Sequence, residues 1–277
     1  MNLKKSLFLL PNIITMASIF CGFDAIRLAS DARGDDDFWK AALLLIFAML
    51  FDTLDGRVAR ATKTQSAFGL QIDSLADVIS FGVAPALIVY TWSLRQLGRV
   101  GILGAFAFAA CGAIRLARFN VLAMREEARA AKEVRDPAAA APVAKPGKYI
   151  VGLPIPGGAG VLVSVIVVNH AVHGPLTAAR YAWAVFAIVA VVSAFMVSTI
   201  KFRSFKDVRL NARSVAFVAA VVASSAVISA RFSPAFVLVW LIGGYLAIGV
   251  LEALAGVPRA IANRRQRIRA QVRGRAS

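Results

Sequence analysis

With 59% hydrophobic residues over 277 positions and a mean hydropathy of +0.70, the chain exceeds the ~45–50% apolar content of a soluble domain, which excludes that class. The formal net charge of +17 fits basic cytosolic loops and anionic lipid headgroups, and nucleic acid is not expected as a partner. Cys21 and Cys111 fall in apolar runs without metal-type spacing or a reason to pair.

The apolar residues gather into runs of roughly 18–24, long enough to cross about 30 Å of hydrocarbon. The expected fold is all-α, a polytopic transmembrane helical bundle of about eight spans. They lie at roughly 8–29, 38–56, 69–93, 100–123, 157–173, 181–199, 213–231 and 234–255. The fifth is short and the second ends in charge, so the count is open by one. Lys4 and Lys5 precede an apolar run with no small-x-small cleavage pattern, which reads as a retained first span.

Basic loops set the orientation. Arg57, Arg60 and Lys63 follow span two, Arg125 to Lys148 separate spans four and five, and Lys201 to Arg213 separate spans six and seven. These fall on one side if both termini are cytosolic, leaving Asp31, Asp35, Asp36 and Asp37 outside; Arg95 and Arg99 disagree. Residues 124–156 read as a surface helix followed by a loop. Residues 1–256 are expected to form the membrane domain, and the Arg-rich segment 257–277 a cytosolic tail lying on anionic lipid. Asp24 and Arg27 are expected to pair locally, and His170 and His173 to lie on the outer side, away from any site.

The decisive acids are Asp52 and Asp55 at the end of span two and Asp73 and Asp77 at the start of span three. Spaced i,i+3 and i,i+4, each pair shares a helix face. A connection of about a dozen residues makes the two spans an antiparallel hairpin, with both pairs at its cytosolic end. Like charges at about 4 Å repel by ~4 kcal/mol at an effective dielectric of ~20. Arg57 and Arg60 cannot neutralise four acids, whereas divalent cations can, and hard oxygen ligands suit Mg²⁺, Mn²⁺ or Ca²⁺. A solvated acidic rim accounts for two of these residues but not for Asp73 and Asp77, which open an apolar run where charge is costly.

From Asp52 the chain reads Asp-Thr-Leu-Asp-Gly-Arg-Val-Ala-Arg, then after residues 61–68 come Gly69, Asp73 and Asp77. Every fixed position matches D-x2-D-G-x2-A-R-x8-G-x3-D-x3-D, the signature of the CDP-alcohol phosphotransferase family, which the chain resembles over a catalytic core of roughly 8–175. The resemblance implies a two-metal site using Mg²⁺ or Mn²⁺. Asp52, Asp55 and Asp73 would ligate metal and contact nucleotide; Asp77, also at the metals, would take the proton from the acceptor hydroxyl. Spacing alone does not choose among the four. Gly56, Ala59 and Gly69 leave the backbone open to a nucleotide, and Arg60 offers a fork to a phosphate. A homodimer is implied by resemblance only.

Three stretches narrow the acceptor: Pro11-Asn12-Ile13-Ile14-Thr15 with Phe20-Cys21-Gly22, Arg115-Leu116-Ala117-Arg118-Phe119-Asn120, and Gly152-Leu153-Pro154-Ile155-Pro156. All resemble the bacterial and archaeal phosphatidylserine synthases of this family. That implies transfer of a phosphatidyl group from CDP-diacylglycerol to L-serine, on the cytosolic side of a prokaryotic cytoplasmic membrane. Arg115 and Arg118 share a helix face and suit the serine carboxylate, without either being singled out; Asn120 would orient serine, and Lys148 would approach the phosphates. Glycerol 3-phosphate or inositol phosphate would also welcome the arginines. A cation transporter would spread its acids through the membrane depth and show a repeat, and neither is present. A non-catalytic lipid-binding protein would not need all four aspartates.

Overall fold

A computed structural model describes residues 3–64, 66–135, 149–203, 212–244 and 247–248. In chain order the helices are α1 (Leu3–Ser30), α2 (Asp35–Thr62), α3 (Ala67–Asp77), α4 (Ala84–Trp92), α5 (Arg99–Arg135), α6 (Ile155–Ala171), α7 (Ala182–Val197), α8 (Ala212–Arg231) and α9 (Ala235–Gly244). The first seven expected spans each coincide with a helix or a pair of helices, and the eighth does so as far as its residues are described. Lys148 and the segment 257–277 lie outside the described residues.

Among the described residues, four helical stretches are long and apolar enough to cross a membrane: Leu10–Ser30, Ala67–Trp92, Arg99–Arg125 and Ala179–Val197. Charge keeps α2 out of this set (Lys40, Asp52 and Asp55 interrupt its apolar run), whereas α6 is short at 17 residues. Phe20, Phe23 and Phe106 are each more than 60% exposed on these spans. Such a surface would be a liability in water and is the solvated state in lipid. The architecture is a helical membrane bundle.

α1 is the hub, packing against α2, α3 and α4. Ala25, Ala29, Ala41, Ala42 and Ala48 are almost fully buried, and such small side chains let helix backbones approach closely. Two buried hydroxyls stitch the layers: Ser18 donates to the Ala48 carbonyl and Ser80 to the Ser18 carbonyl, each at 3.1 Å. Gly22 permits this contact, since a Cβ there would stand 3.0 Å from the Ser80 Cα.

The rod from α3 to α4 contains a π-helical turn over Val78–Val83, directly after Asp77. Pro85 accounts for it, because it has no N–H to offer and its ring crowds the carbonyl of residue 81. The ladder slips by one residue, with the Ala84 N–H reaching the Ile79 carbonyl. Such bulges recur at functional sites.

Two features differ from expectation. α2 continues to Thr62 and α3 begins at Ala67, so the connection shrinks to residues 63–66. Lys63 ends α2 in the left-handed region at φ 54°, and the Ser66 hydroxyl caps α3 by accepting from the Gly69 N–H at 3.0 Å. β1 (Tyr149–Val151) and β2 (Lys201–Arg203) form an antiparallel ribbon with Ile150 opposite Phe202. Helix does continue after residue 124, to Arg135, but as a direct continuation of α5 rather than as a separate surface helix.

Two minor readings concern the far end of α2, of which the local pairing of Asp24 with Arg27 holds. His170 stacks on Trp39 at 5.3 Å between centroids, with Nδ1 3.8 Å from Asp36. Asp36 opens α2, whereas Asp52 and Asp55 lie toward its other end. Arg27 pairs with Asp24 at 2.7 Å.

Candidate metal and nucleotide site

The backbones of α2 and α3 barely touch; α1 packs against both and leaves a gap between them. Across that gap the carboxylates of Asp52, Asp55 and Asp73 converge, with ligand atoms all within 4.8 Å of one another. Asp77, the last residue of α3, abuts Asp52 at hydrogen-bonding range and is also close to Asp73. Thus all four aspartates picked from the sequence come together, with Asp77 on the deeper side.

A divalent cation fits this set. The donors are all hard oxygens, and their close approach suits a shared divalent ion. Oδ1 of Asp77 is buried with no hydrogen-bond partner among the described residues, which leaves it available as a further ligand or a proton acceptor. Close-packed carboxylates without a counter-charge would be strained by repulsion.

α1 supplies a support that the sequence motif does not contain. Thr15, 4% exposed, donates its hydroxyl to Asp55 Oδ2 at 2.5 Å and lies 3.1 Å from the Pro11 carbonyl. This fixes the orientation of the Asp55 carboxylate. Thr15→Val keeps the shape and removes the donor. It is expected to weaken Mn²⁺ binding, read by electron paramagnetic resonance, by about 10–100-fold, the usual cost of losing a partner that orients a metal ligand. Unchanged Mn²⁺ affinity would remove Thr15 from the site.

Beside the carboxylates lies a cavity of about 530 Å³, lined by Pro11, Asn12 and Thr15 of α1, Asp55, Gly56, Ala59 and Arg60 of α2, and Ser66, Gly69 and Asp73 near the start of α3. The volume is that of a small-molecule pocket. Two glycines play different parts. A Cβ on Gly69 would press on the Ser66 hydroxyl at 3.2 Å and approach Asn12 at 3.5 Å, so local packing accounts for it. A Cβ on Gly56 would meet only the Arg60 guanidinium at 3.9 Å. No described residue demands glycine there, although glycine inside a helix costs about 1 kcal/mol relative to alanine.

The residues expected to hold the acceptor separate. Arg115 is 6% exposed, near enough to Asp77 for the charges to interact, and its guanidinium lies 5.3 Å from the Phe119 ring. Arg118 instead donates to the carbonyls of Val151, Val197 and Ser198. Asn120 donates to the Ser74 hydroxyl at 2.9 Å, between Asp73 and Asp77, and so braces α5 against α3. Asn12, Thr15, Ser66 and Ser74 were not assigned from sequence. The spacing of Pro11, Asn12 and Thr15, one face of a helix at i, i+1 and i+4, carried a readable signal: two polar side chains facing one way in an apolar span.

Comparison with known proteins agrees with this geometry. A family model described as CDP-alcohol phosphatidyltransferase matches residues 8–169, which takes in most of α1, all of α2 to α5 and nearly all of α6. The chain is 36% identical over 205 residues to the CDP-diacylglycerol–serine O-phosphatidyltransferase of Helicobacter pylori, covering 74% of this chain and 76% of the relative. It is 35% identical over 159 residues to the protein of the same name from Methanocaldococcus jannaschii, covering 57% and 61%. With the archaetidylserine synthase of Methanothermobacter thermautotrophicus the identity is 41% over 126 residues, covering 44% and 52%. On the extent of the family match and the Helicobacter alignment together, the chain belongs to the CDP-alcohol phosphatidyltransferase family.

Proposed function

We infer that the chain transfers the phosphatidyl group of CDP-diacylglycerol to the hydroxyl of L-serine, giving phosphatidylserine and CMP. The observation that carries this is the cavity of about 530 Å³ in which Asp55 and Asp73 face Gly56, a position the protein itself leaves empty. The names of the relatives supply the acceptor.

The cytidine diphosphate headgroup occupies that cavity, with Gly56 and Ala59 admitting it close to the backbone, Gly69 in the cavity wall and Arg60 forking a phosphate. Asp52, Asp55 and Asp73, with Asp77, would hold two divalent ions, Mg²⁺ or Mn²⁺. When bound, these ions would offset the pyrophosphate charge and stabilise departing CMP. Asp77 takes the proton from the serine hydroxyl. The serine oxygen bonds to the phosphorus that carries diacylglycerol, and the bond from that phosphorus to the CMP oxygen breaks. Arg115, buried near Asp77, is the side chain we assign to the serine carboxylate.

In the bilayer we place eight spans, α3 and α4 together forming the third, with both termini and the aspartates on the cytosolic side, following the basic loops. The lipid enters laterally, serine arrives from the cytosol, anionic lipid holds the basic surface, and the chain works as a homodimer. CMP release by purified protein from CDP-diacylglycerol, compared among serine, glycerol 3-phosphate and inositol phosphate, tests the acceptor. Metal-dependent release with serine alone is expected; release with a phosphorylated alcohol instead would sink serine and keep the site.

Gly56→Ala gives a second, sign-specific check. The variant is expected to be more stable by about 0.5–1 kcal/mol, because a helix-interior glycine is removed without a clash. Its KM for CDP-diacylglycerol is expected to rise at least about tenfold, the equivalent of ~1.4 kcal/mol. Thermal unfolding in detergent and steady-state kinetics read the two effects. An unchanged KM would mean that no ligand approaches this backbone.

A further inference from the structure

Arg115 and Arg118 lie one turn apart on α5, and residue type alone gives them the same task. Their surroundings differ. Nη2 of Arg118 donates to the Ser198 carbonyl at 3.0 Å and to the Val151 carbonyl at 3.4 Å, while Nη1 donates to the Val197 carbonyl at 3.3 Å. Val197 is the last residue of α7 and Ser198 follows it, so two of these acceptors are carbonyls that a helix end leaves without intrahelical partners. Val151 ends β1, just ahead of α6.

The crossing is closed by backbone as well. The Gly152 N–H reaches the Ile200 carbonyl at 2.8 Å and the Leu153 N–H the Phe195 carbonyl at 3.0 Å. Gly152 adopts φ +80°, and a Cβ there would collide with the Met196 carbonyl and stand 3.3 Å from Arg118 Nη2. No space remains for a substrate between the guanidinium and these carbonyls. On the other side of the same α5 segment, Asn120 is tied to Ser74 on α3.

We propose that Arg118 is a positioning residue that fastens α5 to the ends of β1 and α7, and so holds Arg115 and Asn120 against the aspartate-bearing helix α3. The planar guanidinium serves three carbonyls at once, which the single ammonium of lysine cannot reproduce. A displacement of about 1 Å in α5 is enough to cost a large factor in rate. The kinetic part of the test rests on serine being the acceptor; the distance measurement below does not.

Arg118→Lys keeps the charge and is the variant of choice. In a background with Cys21 and Cys111 replaced by alanine, nitroxide labels at Met124 on α5 and Val191 on α7, both exposed, report the separation of the two helices by pulsed electron paramagnetic resonance. A broader or shifted distance distribution in Arg118→Lys is expected. In kinetics, Arg118→Lys is expected to lower kcat/KM for serine at least tenfold, but to add less than threefold on top of Arg115→Lys, because its effect on serine runs chiefly through the placement of Arg115. An unchanged distance distribution, or losses that multiply in the double variant, would overturn the proposal. Wild-type protein inert toward serine would overturn the proposed reaction instead, with the distance measurement still deciding the role of Arg118.

Discussion

Asp77→Asn is expected to lower CMP release from CDP-diacylglycerol and serine by about 10²–10⁴-fold, the range that a general base contributes. The substitution is nearly isosteric, so it preserves packing at the end of α3 while removing the ability to take a proton. Asp77 is suited to the task by its place. One carboxylate oxygen is buried without a hydrogen-bond partner among the described residues, Asp52 lies beside it, and Arg115 is near. Binding of CDP-diacylglycerol should survive, since the cavity is lined by other residues. Turnover measured by CMP release, beside nucleotide-lipid binding by the same preparation, separates the two. A variant that binds and turns over like wild type would deny Asp77 its role.

The second large effect has opposite signs for activity and stability. Asp73 belongs both to the converging carboxylates and to the cavity wall. Asp73→Asn removes one negative charge from the set, and with it an attraction to a bound cation worth ~4 kcal/mol or more for unit charges about 4 Å apart at an effective dielectric of ~20. Losing that attraction converts to about three orders of magnitude or more in metal-dependent turnover. In excess chelator the same variant is expected to unfold at a higher temperature than wild type, because a like-charge repulsion has been relieved. Functional sites commonly trade stability in this way. A solvated acidic rim would predict little change in either quantity, so calorimetry in chelator and CMP release with Mg²⁺ decide between them.

How much could be read in advance follows from the range of each signal. Helices were legible because an apolar run is local, and the aspartate pairs because i,i+3 and i,i+4 spacing fixes a face. The extra turn and a half of α2 was missed since Arg57, Arg60 and Lys63 look like loop charge, although Val58, Ala59 and Arg60 are compatible with helix. The β1–β2 ribbon joins three-residue stretches far apart in the chain, too short to show periodicity. Thr15 could have been placed on the polar face of α1, but that it meets Asp55 is a tertiary fact. The distinction between Arg115 and Arg118 depends on carbonyls near residues 151 and 197, which no pattern within α5 contains.

The most direct measurement follows the acceptor oxygen itself. Purified protein with CDP-diacylglycerol, Mg²⁺ and serine labelled with ¹⁸O in its hydroxyl should yield phosphatidylserine that retains the label, together with unlabelled CMP, as read by mass spectrometry. Release of CMP without a labelled phospholipid, or no metal-dependent release at all, would contradict phosphatidyl transfer to serine at the four-aspartate site.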